Sequence, residues 1–144
     1  MAIDMNTPTT PHVAELLELF ARSPVQRTLG TTLDYGPDDE AIVRFPGDAA
    51  FDNALGITHG GIVATLMDTA GWFAAAACCD TWLLTADLHV QLVAPASAGP
   101  LVAEGRVTHM GSRIATARMS VTAGDGTVVA LGQGTFAVGS KTRS

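Results

Sequence analysis

The segment from Gly60 to about Cys79 constrains this chain more than any other feature. It is apolar almost throughout, and its polar members, Thr65, Asp68 and Thr69 with the amphipathic Trp72, recur at spacings of three and four. That is helical periodicity, with one narrow polar stripe on a helix that is otherwise hydrophobic all round. Such a helix is buried, and the rest of the chain must cover it. It does not read as a membrane span, because Asp68 sits near its centre among Thr65, Thr69 and several Gly and Ala.

The cover is legible on both sides. After the helix the hydrophobic period falls from three or four to two. Leu84, Ala86, Leu88, Val90 and Leu92 alternate with Thr85, Asp87, His89, Gln91 and Val93. Further strand-like runs are Leu101 to His109, Ile114 to Thr122 and Thr127 to Val138. The turns Met110-Gly111-Ser112-Arg113 and Gly124-Asp125-Gly126 join them as hairpins. Before the helix, Leu29 to Tyr35 and Glu40 to Phe45 read as two more strands around the turn Gly36-Pro37-Asp38-Asp39. Residues 10–23 read as a short helix that Ser23-Pro24 ends, with Val13, Leu16, Leu17 and Phe20 on one face. Residues 1–9 and 139–144 read as loose tails. Consecutive hairpins pair antiparallel, so the prediction is one α+β domain over residues 1–144, a sheet wrapped around one central helix.

Charge removes several function classes. Asp and Glu outnumber Lys and Arg by 14 to 8, and a nucleic-acid partner requires a clustered basic excess instead. The start MAIDMNTPTT has neither a basic stretch nor an apolar signal core, so the expected location is cytoplasmic, with no membrane partner. Cys78 and Cys79 are adjacent, a poor geometry for a disulfide, and read as buried small hydrophobes. With no second Cys pair and four scattered His, no metal site is expected.

The densest chemical feature is the loop Asn53-Ala54-Leu55-Gly56-Ile57-Thr58-His59-Gly60-Gly61 that enters the helix. A helix start with two glycines leaves N–H donors uncovered, which suits an oxyanion or a polarised carbonyl. Asp68 follows inside the helix among Val63, Ala64, Leu66, Met67 and Trp72. A carboxylate buried there without partners would have a raised pKa, suited to a general base. Capping or packing by His59, and a structural anchor at Asp68, are the alternative readings.

The string Asn53, Gly56, His59, Gly60, Gly61, Asp68 resembles that of hotdog-fold thioesterases of the phenylacetate-pathway (PaaI-like) type, over roughly Leu29 to Val138. The resemblance implies a hotdog fold and an acyl-CoA thioesterase that needs no metal or redox cofactor, with CoA entering only as part of the substrate. It implies that Asp68 activates water or attacks the thioester, that Gly60 N–H holds the oxyanion, and that His59 and Asn53 position the thioester. Thr85 would hold the attacking water, although simple alternation puts it on the polar strand face with Asp87 and His89, so a bulge or a subunit boundary must bring it in. Gly61, Thr69, Trp72 and the hairpin Gly111, Ser112 and Arg113 are the remaining candidates for substrate contact. Arg113, Arg106 and Arg118 are candidate partners for CoA phosphates. Met67, Trp72 and Phe73 suit an apolar acyl group, or simply a core.

If Gly60 and Asp68 both act, they cannot serve one substrate from one helix. Eight positions of helix separate their backbones by about 12 Å. The resemblance therefore points to a homodimer with shared sites, and to a homotetramer. Two other readings are a non-catalytic acyl-CoA-binding module and, with a different His–carboxylate spacing, a hydroxyacyl dehydratase.

Overall fold

The computed structural model describes residues 10–97 and 99–143. Helix α1 (Thr10–Arg22) and the short α2 (Pro24–Leu29) precede strands β1 (Thr32–Tyr35) and β2 (Ala41–Phe45). A single 3-10 turn, Ala49–Phe51, and the loop that follows lead into α3 (Gly60–Ala76). Strands β3 (Thr81–Leu92), β4 (Leu101–Met110), β5 (Ile114–Ala123) and β6 (Val128–Thr142) complete the chain. The strands form one antiparallel sheet in the order β1-β2-β4-β5-β6-β3. With α3 packed on its concave face, this is the hotdog arrangement.

Small residues bring helix and sheet together. A Cβ on Gly105 of β4 would lie 2.3 Å from the Ala70 carbonyl oxygen of α3, and one on Gly71 would lie 2.8 Å from Met119 Sδ. Around this contact Val63, Leu66, Met67, Ala70, Phe73 and Ala74 bury against the sheet residues Val43, Phe45, Ala103, Met119, Val121 and Phe136. From Phe73 to Ala76 the helix is buried on every side. Nearer its start it surfaces along Gly61, Thr65, Asp68 and Trp72, the polar stripe without Thr69.

Four details depart from the sequence reading. Where a strand was expected from Leu29, Pro24 takes a first-turn position of α2, and Gly30, at φ 69°, closes it, so β1 starts only at Thr32. The expected loose tail at 139–144 is largely strand, since β6 runs to Thr142 and Arg143 N–H bonds the Asp80 carbonyl at 2.8 Å. The anchor is the Arg143 side chain, only 1% exposed, which pairs with Glu15 of α1 at 3.4 Å and donates to the carbonyls of Ala76, Cys79 and Thr81. The cysteines lie past the end of α3, so Cys78 is exposed and Cys79 half-buried rather than both being core. The expected tail at 1–9 lies outside the described residues. Among the described residues no helix is long and apolar enough to cross a membrane.

Candidate active site

Two elements meet at Asp68. The helix presents its carboxylate on the open stripe, half-buried rather than enclosed, and Thr85 Oγ1 of β3 donates to Asp68 Oδ1 at 2.7 Å. The expected unpartnered, deeply buried acid is therefore a carboxylate held in place by a hydroxyl, close to solvent. A register shift between Thr85 and Asp87 accounts for Thr85. Before the bulge, Leu83 and Thr85 face the helix and Leu84 is 75% exposed. After it, Leu88 and Val90 turn inward while Asp87 and His89 stay outside. One extra residue thus reverses the phase of the strand, and the inward placement that simple alternation assigned to Leu84 and Ala86 is corrected.

The entry loop is held by its own side chains. Asn53 Oδ1 accepts from Leu55 N–H at 2.9 Å and Ile57 N–H at 3.4 Å, an Asx turn in which its amide N–H groups have no acceptor among the described residues. His59 is the N-cap of α3, its Nδ1 accepting from Gly61 N–H at 2.9 Å. Its Nε2 has no hydrogen-bond partner among the described residues, and Gly61 N–H, expected to meet substrate, is satisfied within the loop. Gly60 N–H keeps no acceptor among the described residues. It borders a cavity of about 350 Å³ lined by Asn53, Ile57, Thr58, Leu92 and Pro95. A side chain here would strike Leu92, since a Cβ would lie 2.8 Å from its Cδ1.

Other candidates separate. Thr69 is buried, donating to the Thr65 carbonyl at 2.8 Å and accepting from Gln26 Nε2 at 3.1 Å. It ties α2 to α3, and the expectation that it contacts substrate is withdrawn. Trp72 Nε1 donates to the Leu83 carbonyl at 3.0 Å, tying the indole to β3. Gly111, Ser112 and Arg113 form the β4–β5 turn, where Gly111 N–H bonds the Ile114 carbonyl. This turn lies at the Leu83 end of β3, since Arg113 carbonyl accepts from Val138 N–H and Val138 pairs with Leu83. Arg106 is occupied by Glu104 at 2.8 Å, Asp38 at 3.5 Å and Glu40 at 3.8 Å, so it is a poor phosphate ligand. Sequence reasoning missed Gln26 and Arg143, because an isolated polar residue carries no periodic signal of burial.

A carboxylate fixed by a hydroxyl and a free N–H at a helix start can support hydrolysis of an activated acyl group. Comparison with known proteins identifies the class, since residues 55–130 match the thioesterase superfamily. This chain belongs to that superfamily. A Halobacterium salinarum protein named "putative esterase" is 34% identical over 76% of this thioesterase-superfamily chain and 81% of its own length. A crystal structure of a thioesterase-superfamily protein superposes with a TM-score of 0.84 at 32% identity, covering 90% of this chain and all of the other. A thioesterase-family protein of Silicibacter pomeroyi gives 0.82 at 27%, over 89% and 99%. Membership in the superfamily supports thioester hydrolysis as the general class of reaction.

Proposed function

We propose that this thioesterase-superfamily member is an acyl-CoA thioesterase of the PaaI-like type whose site is shared between two antiparallel protomers. The observation that carries this reading is the Thr85–Asp68 hydrogen bond on the open stripe of α3, with the Gly60 N–H left free on the same helix. Asp68 of one protomer takes a proton from water, whose oxygen attacks the thioester carbon, and the proton passes to the departing sulfur; or Asp68 attacks that carbon itself, the C–S bond breaks, and water then hydrolyses the resulting anhydride and supplies the thiol's proton. Gly60 N–H of the other stabilises the developing oxyanion, and CoA leaves as the thiol. Asn53 and His59 Nε2 orient the thioester, and Thr85 keeps the carboxylate aimed. This chemistry calls on no metal or redox cofactor.

The open edge of the sheet supports the dimer. Among the described residues, strand β3 pairs only with β6 and carries the exposed apolar side chains Trp82, Leu84 and Leu92 along its length. A long apolar edge is an aggregation hazard unless something covers it. A two-fold pairing of β3 with its copy covers it and brings Gly60 of one α3 opposite Asp68 of the other. A tetramer, a cytoplasmic location and CoA rather than an acyl carrier protein belong to the same reading.

The test measures thiol release from acyl-CoAs by hybrid dimers. Asp68→Asn is expected to lower turnover by on the order of a hundredfold or more without unfolding the chain. Gly60→Pro removes the N–H at a first-turn helical position that tolerates proline, and its Cβ requires only the flexible end of Leu92, at 2.8 Å, to shift. Mixed dimers of the two should regain one working site. Silence in verified hybrids of folded protomers counts against the shared site, and wild-type speed in Asp68→Asn counts against the carboxylate.

A further inference from the structure

We infer that helix α1, which lies outside the residues matched by the superfamily, forms the outer wall of the acyl-group subsite and limits the size of the acyl group hydrolysed. The inference rests on the proposed hydrolysis at Asp68. A second cavity of about 550 Å³ is lined by Leu19, Arg22 and Ser23 from the α1–α2 corner and by Trp72, Phe73 and Trp82 from α3 and β3. Its volume falls in the range of small-molecule sites, and its walls are mainly apolar and aromatic.

Its position follows from both elements that build the catalytic pair. Trp72 stands one helical turn beyond Asp68 on the same open stripe, about 6 Å along the axis. Leu83, whose carbonyl binds the Trp72 indole, lies two residues before Thr85 on the same face of β3. The cavity, whose lining includes neither Asp68 nor Thr85, therefore lies next along both elements from that pair and away from the Gly60 end, in the direction an acyl chain would take from a carbonyl held at Asp68.

The wall is fixed and not a swinging lid. Leu16 and Phe20 of α1 are buried, Phe20 packs edge-on against Phe73 at 5.4 Å, and Glu15 pairs with the buried Arg143. A fixed wall sets a size limit. Acyl groups with several apolar carbons bury surface against Leu19 and the indoles, at about 0.8 kcal/mol per CH₂ in the general case. An acetyl group does not reach them.

The experiment compares kcat/KM for acetyl-, hexanoyl- and benzoyl-CoA in the wild type, Ser23→Trp and Leu19→Ala. Ser23 makes no side-chain cap bond to α2, so the substitution is compatible with the helix start. The ratio of hexanoyl to acetyl should fall at least tenfold in Ser23→Trp, and Leu19→Ala should shift the preference towards the larger groups. An unchanged ratio in a folded Ser23→Trp chain overturns the wall, while no thiol release from any acyl-CoA by the wild type sinks hydrolysis itself. A second arm is independent of turnover and of Ser23. Both tryptophans of the chain line this cavity. Hexanoyl-CoA should therefore change the tryptophan emission of Asp68→Asn, whereas CoA alone should not, and equal responses to the two would also overturn the assignment.

Discussion

Replacing Gly105 with Ala tests the closest contact between helix and sheet. The new Cβ would lie 2.3 Å from Ala70 O and 2.5 Å from Ala70 C, where ordinary contact begins at 3.4 Å. Relief requires about 1.1 Å of movement, the difference between 3.4 and 2.3 Å. Neither side yields easily, because the clash is with backbone and Gly105 is paired to Ala41 on one side and Met119 on the other. Overpacking of this kind costs about 1–3 kcal/mol, and backbone atoms place it at the upper end. Against it stands a gain of about 0.5–1 kcal/mol from replacing glycine in a strand. The net loss of about 2 kcal/mol corresponds to roughly 4–8 °C in Tm for a chain of this size. Thermal unfolding at one fixed protein concentration reads it, with Gly124→Ala as control, since nothing lies within 4 Å of a Cβ there. A loss below about 2 °C would refute the claim that this contact sets the height of α3 over the sheet.

Three further outcomes are expected. Arg143→Met should lower stability by about 2–4 kcal/mol, read from the urea midpoint, because the carbonyls of Ala76, Cys79 and Thr81 lose a buried cationic donor. Tyr35, the chain's single tyrosine, is held well above its ordinary value of 10.0, first by burial, which outweighs the opposing pull of Arg143, and its hydroxyl donates to the Phe73 carbonyl at 2.7 Å. With the folded value raised, its contribution is complete below about pH 10 and is lost as pH climbs through the folded value, so tyrosinate absorbance should appear only together with alkaline unfolding. Arg113→Ala should raise KM for acyl-CoA and leave kcat nearly unchanged if the β4–β5 turn meets CoA phosphates; a fall in kcat alone would exclude that role.

What the sequence determined by itself was the period of each element and the chemistry of the helix entry. A helix apolar on nearly all sides can only be an inner helix, and two-residue alternation bounded by Gly-rich turns can only be an antiparallel cover, so α3 and β3 to β6 were readable. The placement of Asn53, His59, Gly60 and Asp68 also followed, because these residues lie on one loop and the helix it enters. Tertiary structure decided the rest. Alternation assumes an unbroken register, so only the bulge after Thr85 could turn that hydroxyl to Asp68. Thr69 looked like its neighbours on the stripe until Gln26, 43 positions away, claimed it. Arg143 looked like a frayed end until the end of α3 offered it carbonyls. In each case the deciding partner is remote in sequence, and local periodicity carries no information about a contact whose two halves come together only when the chain folds.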